Sequence, residues 1–304
     1  MESECELLSS RGVLKSCCLR SGDPTGDLTR PVTYVIDKAN AARRRTPSVY
    51  VNTGSLDFFC RKILPSVRSP VVLVTGDSDV PLPSPLFGHE AVRALLSHPM
   101  IKRWYCQNLC MSLPGLHALP IGLDYHTVSK GSRWGEEART PREQELSLLE
   151  VGEATAPFWE RERKCYVNFQ YGLHHSTGEP VTHAGTRKAA CTVVDKSLCY
   201  FEVGATPRVT CWENQSQYAF VISPPGNGLD CHRTWEALNL GCIPIVIRMP
   251  GWRLDAFDDL PVLVVDSWEE ITQDLLDGTV ERFRETRFNY GKLRLGYWVE
   301  EIHR

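Results

Sequence analysis

Short apolar runs alternate with helix-like patterns along much of this chain, and the alternation restricts the folds it can adopt. The runs VTYVID (32–37), SVYVNT (48–53) and PVVLVTGDSD (70–79) are typical of strands, whereas HEAVRALLSHPMI (89–101) is typical of a helix. Two shorter strands are predicted in IKRWYCQN (101–108) and LHALPIGLD (116–124). Consecutive parallel strands need a crossover connection, which helices usually supply. The first half is therefore predicted to form a parallel sheet wrapped by helices.

A second alternation follows a polar stretch at 127–162, in which only 143–151 has a helical pattern. The 304 residues suffice for two cores, each of about 150 residues. Later strands are predicted at 164–170, 218–223, 243–247 and 261–266, and later helices from Thr186, Asp230 and Ser267, the last with a Glu270 capping box. The predicted parts are an N-terminal arm (1–30), a first α/β domain (31–150), a second α/β domain (151–280) and a C-terminal amphipathic helix (281–304).

The charge balance disfavours two classes of partner. The chain has 34 basic and 37 acidic side chains, so no broad positive field would attract nucleic acid or an anionic membrane surface. No apolar run approaches the roughly 20 residues that a bilayer-spanning helix needs. The first residues also lack the order of a signal peptide. We therefore expect a soluble protein with no nucleic-acid partner and no membrane segment.

Cysteine usage favours a reducing compartment. The 12 cysteines lie scattered through apolar segments and include no CxxC pair, so buried free thiols are expected and a zinc site is not. This pattern predicts a cytoplasmic protein. It leaves the Golgi lumen open for a form whose membrane anchor has been removed.

The segment 218–247 carries the clearest chemical signal. A strand runs into a proline- and glycine-rich loop, and Asp230 is predicted to begin the next helix as its N-cap. Backbone amides at a helix N-terminus beside glycines suit a diphosphate. The predicted ligands in the loop are Ser223, Pro225, Gly226, Asn227, Gly228 and Asp230.

Three polar residues of that predicted helix share one arc, namely His232, Arg233 and Glu236. Arg233 could neutralise a phosphate, His232 could donate to a phosphate or sugar oxygen, and Glu236 could accept hydrogen bonds from a ribose diol. The alternative is that the loop is only a turn and that Arg233 and Glu236 form a surface pair.

The segment SPPGNGLDCHRTWEALNLGCIPIV closely resembles the donor-binding region of exostosin-like glycosyltransferases, particularly the short members encoded by chlorella viruses. VYVNTGSLDFF, VVLVTGDSDVPLP, WYCQN and LPIGLD also fit, so the resemblance spans about residues 32–300. It implies a GT-B fold of two Rossmann-like domains with a cleft between them, and a terminal helix that returns to the first domain. It also implies an inverting transferase that takes a sugar from a nucleoside diphosphate without an obligatory metal.

The resemblance implies further details of the substrates. The donor would lie in the second domain, with UDP as its nucleotide and UDP-xylose among the candidate sugars. The acceptor, an oligosaccharide or glycoprotein glycan, would lie in the first domain. In the same layout an arginine after the first strand of the second domain reaches the diphosphate, and Arg187 occupies that place.

Two carboxylates follow a buried strand and are candidates for the catalytic base. Asp77 and Asp79 should emerge at the carboxyl end of the strand 70–79, and inverting transfer needs a base to take the acceptor proton. Asp79 is the first candidate and Asp77 the second, against a turn-capping role for either. The same Asp-Ser-Asp also matches the metal-binding motif of GT-A transferases.

Two alternatives remain open from the sequence. The loop 170–183 contains three histidines and a glutamate; it is predicted to lie over the donor, with a metal site as the less favoured interpretation. A non-catalytic carbohydrate-binding protein on a transferase fold is the other function considered, since fold does not fix function.

Overall fold

The protein is a mixed α/β chain with two sheets of parallel strands. A computed structural model describes residues 2–21, 34–36, 46–133, 135–170, 184–204 and 206–304. Each sheet contains five mutually parallel strands, and the first carries one additional antiparallel strand at its edge. The predicted α/β class, with two parallel sheets compatible with a pair of Rossmann-like domains, is confirmed.

The first sheet contains the predicted strands and one that the sequence pattern missed. Its order is β2-β1-β3-β4-β5-β6, and β1 lies within the predicted N-terminal arm. β3 and β4 are buried on both faces, which explains their nearly continuous apolar sequences. The strands are β1 Leu19–Ser21, β2 Tyr34–Ile36, β3 Ser48–Asn52, β4 Val71–Gly76, β5 Ile101–Cys106 and β6 Leu116–Ala118.

The second sheet has the order β11-β10-β9-β7-β8, and all its pairings are parallel. The short edge strand β8 was not predicted. The strands are β7 Glu162–Val167, β8 Cys199–Phe201, β9 Tyr218–Ile222, β10 Ile243–Ile247 and β11 Leu263–Val265.

Ten α-helices of the described residues cover the sheets. Helix α2 continues into a π-helical turn, Phe59–Ile63. The helices are α1 Ser10–Ser16, α2 Leu56–Phe58, α3 His89–Leu96, α4 His126–Ser129, α5 Pro141–Glu153, α6 Ala184–Val193, α7 Arg208–Gln215, α8 His232–Asn239, α9 Gln273–Arg284 and α10 Leu295–His303.

The polar stretch 127–162 is more than the linker that the sequence predicted. Helix α5 begins at a complete capping box between Thr140 and Glu143 and packs against α7 and α8 of the second half. Leu148 is completely buried in a core cluster that includes residues of both halves. Few apolar residues point inward from this helix, which is why its periodicity is weak in the sequence.

The C-terminal prediction of one helix over 281–304 is wrong. Helix α9 ends at Arg284, a 3-10 turn follows at Tyr290–Leu293, and α10 begins only at Leu295. Similarly, Ser267 and Glu270 form the predicted capping box, but it opens a 3-10 turn rather than α9. Helix α10 contacts the first sheet, where the Tyr105 hydroxyl donates to the carbonyl of Glu301 at 2.8 Å.

The N-terminal segment is a packing layer. The amide of Leu8 donates to the carbonyl of Leu293, and the carbonyl of Leu8 accepts from the amide of Leu123. Residues 7–9 therefore lie between the segment before α10 and the loop after β6. Buried apolar side chains of the layer are Leu7, Leu8, Val13 and Leu14.

All 12 cysteines are free thiols, and eight of them are buried, as the apolar surroundings of the cysteines predicted. Among the described residues, no helix combines the length and the apolar character needed to span a bilayer.

Replacing Gly122 by alanine should destabilise the protein, because Gly122 joins the N-terminal layer to the first half. Its φ is +67°, and an added Cβ would lie 2.5 Å from the carbonyl oxygen of Leu8. We expect Gly122→Ala to lower the unfolding free energy by about 2–4 kcal/mol in urea denaturation.

The matched control is Gly278→Ala within α9, where an added Cβ meets nothing within 4 Å. That substitution should raise stability by about 0.5–1 kcal/mol, because alanine is the better helix former. Equal effects of the two substitutions would contradict the assigned role of Gly122.

Candidate functional site

The predicted site residues come from the carboxyl ends of strands in both sheets. Asp77 follows β4, Asn108 lies just beyond β5, and Ser223 follows β9. Ligands of parallel α/β sheets collect at this edge of the strands.

Asn108 joins the two edges directly. Its Nδ2 donates to the carbonyl of Ser78 at 3.0 Å, and its Oδ1 accepts from the amides of Leu229 and Asp230, both at 3.0 Å. Asn108 is 2% exposed and has a φ of +50°, a conformation that asparagine tolerates better than most residues. This side chain brings the Asp77–Asp79 turn beside the glycine-rich loop.

Asn108 was missed from the sequence, although the WYCQN segment that contains it was noticed. An asparagine immediately beyond a buried strand was the available signal. It could not show that the side chain would bond to a loop more than 100 residues later.

The glycines of the loop permit close packing. An added Cβ on Gly228 would lie 2.9 Å from Nδ2 of Asn108, and one on Gly226 would lie 3.3 Å from a terminal nitrogen of Arg187. Neither glycine has a positive φ, so space rather than an unusual backbone angle explains them. Within the same loop Asn227 is exposed, whereas Ser223 and Pro225 are buried.

Arg187 and Arg233 form a pair of guanidinium groups on Phe169. Their Cζ atoms lie 5.6 and 5.3 Å from the centre of that ring. Nε of Arg187 donates to the carbonyl of Pro225 at 2.9 Å, and Nε of Arg233 donates to that of Asn168 at 2.9 Å. The sequence assigned both arginines to the donor, and the structure brings them together.

This pair of positive charges has no acidic partner among the described residues, where each guanidinium bonds to backbone carbonyls. Arg187 is 6% exposed. Its burial, together with the nearby charge of Arg233, lowers the pKa of Arg187 to about 10. Bringing an anion between the two groups would relieve their repulsion. We name Arg187, Arg233 and the loop 223–228 the anion cradle.

The prediction that Asp230 caps the helix is wrong. Cys231 is the N-cap of α8. The Asp230 carboxylate instead accepts from the amide of Ile121 at 2.8 Å and from Nε1 of Trp235 at 3.0 Å. It therefore binds α8 to the first half of the chain, in an interior position that a helix-start pattern does not reveal.

His232 makes another bond between the halves. Its Nδ1 lies 2.7 Å from the carbonyl oxygen of Gly122, and because that oxygen can only accept, Nδ1 carries a proton. In the neutral ring Nε2 is then an acceptor. His232 can thus accept from a sugar hydroxyl when neutral, whereas the predicted donation to phosphate requires the protonated ring.

The carboxylate of Asp124 interacts with two histidines, His126 and His232. One of its oxygens lies 3.0 Å from Nδ1 of His126. Burial alone would raise the pKa of Asp124. The contact with His126, the charge of His232 and a bond from the amide of Thr127 outweigh that effect and hold the pKa well below its ordinary range. Asp124 is therefore a fixed negative charge beside His232.

Glu236 contacts a different part of the protein from His232 and Arg233, its neighbours on α8. Its Oε1 accepts from Nε of Arg208 at 3.1 Å, and Arg208 also donates to Gln144 and lies over the ring of Trp212 at 4.8 Å. The three residues of the predicted arc thus diverge. His232 points to Gly122, Arg233 to Asn168 and Glu236 to Arg208, which the sequence did not identify as a partner.

The two candidate bases differ in environment. Asp77 has a φ of +48°, and one of its carboxylate oxygens lies 3.4 Å from Nε of Arg11. Asp79 is exposed and has an interaction partner of its own. Both residues flank Ser78, whose carbonyl accepts a hydrogen bond from Asn108. Because Asn108 also binds the backbone just after the loop 223–228, the two aspartates lie in a turn that faces the anion cradle.

The described residues contain no candidate metal centre. Within the described ranges no group of three or more His, Cys, Asp or Glu side chains could hold a metal ion. Most of the histidine-rich loop, residues 171–183, lies outside those ranges.

Neither the protein-family models nor the curated proteins contain a significant match to this chain.

Asp230 should make stability depend on pH in a predictable direction. Burial raises its pKa from 3.8 to about 6 in the folded protein, against the hydrogen bonds from Ile121 and Trp235. Between these values the folded state binds more protons than the unfolded state. Stability from this residue is therefore present at pH 4 and is lost as the pH rises to 6.

The comparison variant is Asp230→Asn, which does not titrate but places an amide nitrogen near Trp235 and so costs stability at every pH. Relative to this variant, the unfolding free energy of the wild type should fall by about 1 kcal/mol per pH unit over that window. Urea denaturation from pH 4 to pH 7 measures the difference, and a constant difference would contradict the prediction.

Proposed function

We propose that this protein is an inverting glycosyltransferase of GT-B architecture that uses a nucleoside diphosphate sugar, with UDP as the nucleotide. The observation that carries the proposal is a pair of arginines, buried Arg187 and half-buried Arg233, beside a glycine-rich loop and without an acidic partner in the described chain. A diphosphate is the part of such a donor that two guanidinium groups and loop amides would bind. The resemblance to exostosin-like transferases supports the same assignment.

The proposed reaction is a single displacement. The acceptor hydroxyl oxygen forms a bond to the anomeric carbon while the bond from that carbon to the diphosphate oxygen breaks. The hydroxyl proton passes to a carboxylate, and the departing electron pair stays on the nucleoside diphosphate. Arg187 and Arg233 stabilise the charge that develops on this leaving group.

Asp79 is the preferred base and Asp77 the second candidate. Asp79 is exposed, so an acceptor hydroxyl can reach it, whereas Asp77 is half-buried beside Arg11. The Asn108 bond to Ser78 keeps both residues at a fixed place relative to the cradle. The acceptor, a glycan hydroxyl, would then approach from the first half of the chain.

The mechanism uses no metal, since the arginines supply the positive charge. A metal-dependent transferase with Asp77 and Asp79 as ligands is the first alternative. A non-catalytic carbohydrate-binding protein is the second. The experiments below separate the three.

The arginine pair should determine affinity for the diphosphate. Calorimetric titration with UDP should show that Arg233→Ala weakens binding at least tenfold, a loss of about 1.4 kcal/mol, and Arg187→Ala likewise. The control is Arg248→Ala, which removes an exposed arginine paired with Asp266 and should leave the affinity unchanged. Unaltered UDP affinity in both cradle variants, or no stabilisation of the wild type by any nucleotide sugar in a thermal-shift panel, would refute the donor assignment.

Replacing the catalytic base should lower the turnover rate much more than it weakens donor binding. We expect Asp79→Asn to lower kcat at least a hundredfold, about the smallest contribution typical of a general base, with little change in donor affinity. Asp77→Asn is the paired variant, and a larger loss of kcat there would transfer the role to Asp77. Assays with a single UDP-sugar and an oligosaccharide panel measure this effect.

Two other outcomes identify the alternatives. Loss of donor binding in Asp79→Asn, together with activity of the wild type only when manganese is added, would support the metal-dependent transferase. Absence of donor hydrolysis without an acceptor, and of any transfer with one, would support the non-catalytic protein.

A further inference from the structure

Two cysteines face each other where β7 pairs with β8. Cys165 and Cys199 are partners in the register of these parallel strands, and β8 is the last strand in the order of the second sheet. Neighbouring strands lie about 4.8 Å apart, which is within the Cα separations that a disulfide can bridge. The two residues are therefore close enough for a covalent bond, although both are free thiols in this structure.

Side chains that are paired across these two strands lie against each other. In the next pair along, the rings of Tyr166 and Tyr200 stack with their centres 6.0 Å apart and an angle of 15° between their planes. Because side chains alternate between the faces of a sheet, Cys165 and Cys199 share the opposite face. On that face Cys165 belongs to the apolar core of the second half, Cys199 packs against this core, and the thiol of Cys165 donates a hydrogen bond to the sulfur of Cys199.

Of this pair, only one thiol reaches solvent. Cys165 is completely buried, whereas Cys199 is half-buried at the start of the three-residue strand β8. Tyr200, the next residue of the same strand, is 39% exposed. A small oxidant from solution can therefore reach Cys199 first, and Cys165 lies where it can react with the product.

The acidity of Cys199 also sets it apart from two other half-buried cysteines. The hydrogen bond from Cys165 lowers the pKa of the Cys199 thiol, against burial and the charge of Asp195, which raise it. By contrast, burial raises the pKa of Cys60 and raises that of Cys110 to about 11. Because the thiolate is the nucleophilic form of cysteine, Cys199 is more reactive than either of these two residues.

We infer that Cys165 and Cys199 form a reversible oxidation site, at which hydrogen peroxide converts the two thiols to a disulfide. The sulfur of Cys199 takes one oxygen from peroxide and becomes a sulfenic acid, and the other oxygen leaves as water. The sulfur of Cys165 then loses its proton, forms the S–S bond and displaces the hydroxyl group, which leaves as a second water. Two thiols are oxidised and one peroxide molecule is reduced.

The position of the pair indicates a reversible disulfide rather than a permanent one. The Cβ atoms of a disulfide lie about 3.8 Å apart, closer than the spacing of about 4.8 Å between strands, so the bond would strain the pairing of β7 with β8. Strained disulfides are the easily reduced ones, and transient disulfides are the usual kind in a reducing compartment. The inference does not depend on the proposed transferase activity, because it rests on the thiol pair alone.

Thiol mapping of the full chain after peroxide treatment tests the inference. The native protein is exposed to a small molar excess of hydrogen peroxide, its remaining thiols are blocked with N-ethylmaleimide, and the protein and its unreduced peptides are analysed by mass spectrometry. We expect two of the 12 thiols to escape blocking, and one cross-linked peptide to contain Cys165 and Cys199. Dithiothreitol should then restore all 12 thiols.

Two variants separate the steps of the reaction. Cys199→Ser removes the thiol that meets the oxidant and should abolish the cross-link. In Cys165→Ala the sulfenic acid has no thiol partner, so dimedone should trap it on Cys199. The matched control is Cys60→Ser, which removes another half-buried thiol and should keep the cross-link.

Three results for the wild type would overturn the inference. They are retention of all 12 thiols after peroxide treatment, a disulfide that joins other cysteines, and oxidation of Cys199 to a sulfonic acid without cross-linking. Because these results come from the unaltered chain, they decide the question even if the core substitution Cys165→Ala prevents folding.

Discussion

The candidate site depends on the hydrogen bonds that the side chain of Asn108 makes between the two halves of the chain. One amide group satisfies a carbonyl on the first half and two backbone amides on the second. Because all of these groups are buried or half-buried, any separation of the halves would leave several polar atoms unpaired. The acidic turn and the anion cradle are therefore held in one arrangement by hydrogen bonding as well as by the apolar core that both halves share.

The sequence predicted the elements whose pattern is local. Strands such as β4 and β10 are continuous apolar runs with clear ends, so their positions followed from the chain alone. Helix α5 was predicted only in part, as a helical pattern at 143–151, and its packing against α7 and α8 was not predicted. The short strand β8 has only three residues, which is too few for a periodicity to be recognised.

The sequence indicated several residues of the candidate site but not the partners that these residues contact. Arg187 and Arg233 were recognised, and they do lie together on Phe169. The sequence could not show that Glu236 would pair with Arg208, or that Asp230 would turn inward to Ile121 and Trp235. Helical spacing places residues on one arc, whereas their partners are set by tertiary contacts between distant segments.

The position of the N-terminal layer has a consequence for the order of folding. Residues 7–9 are bonded on one side to Leu293 and on the other to Leu123, and α10 lies against α1. The N-terminal layer therefore cannot reach its final packing until the segment of Leu293 and α10, which lies far later in the sequence, is available.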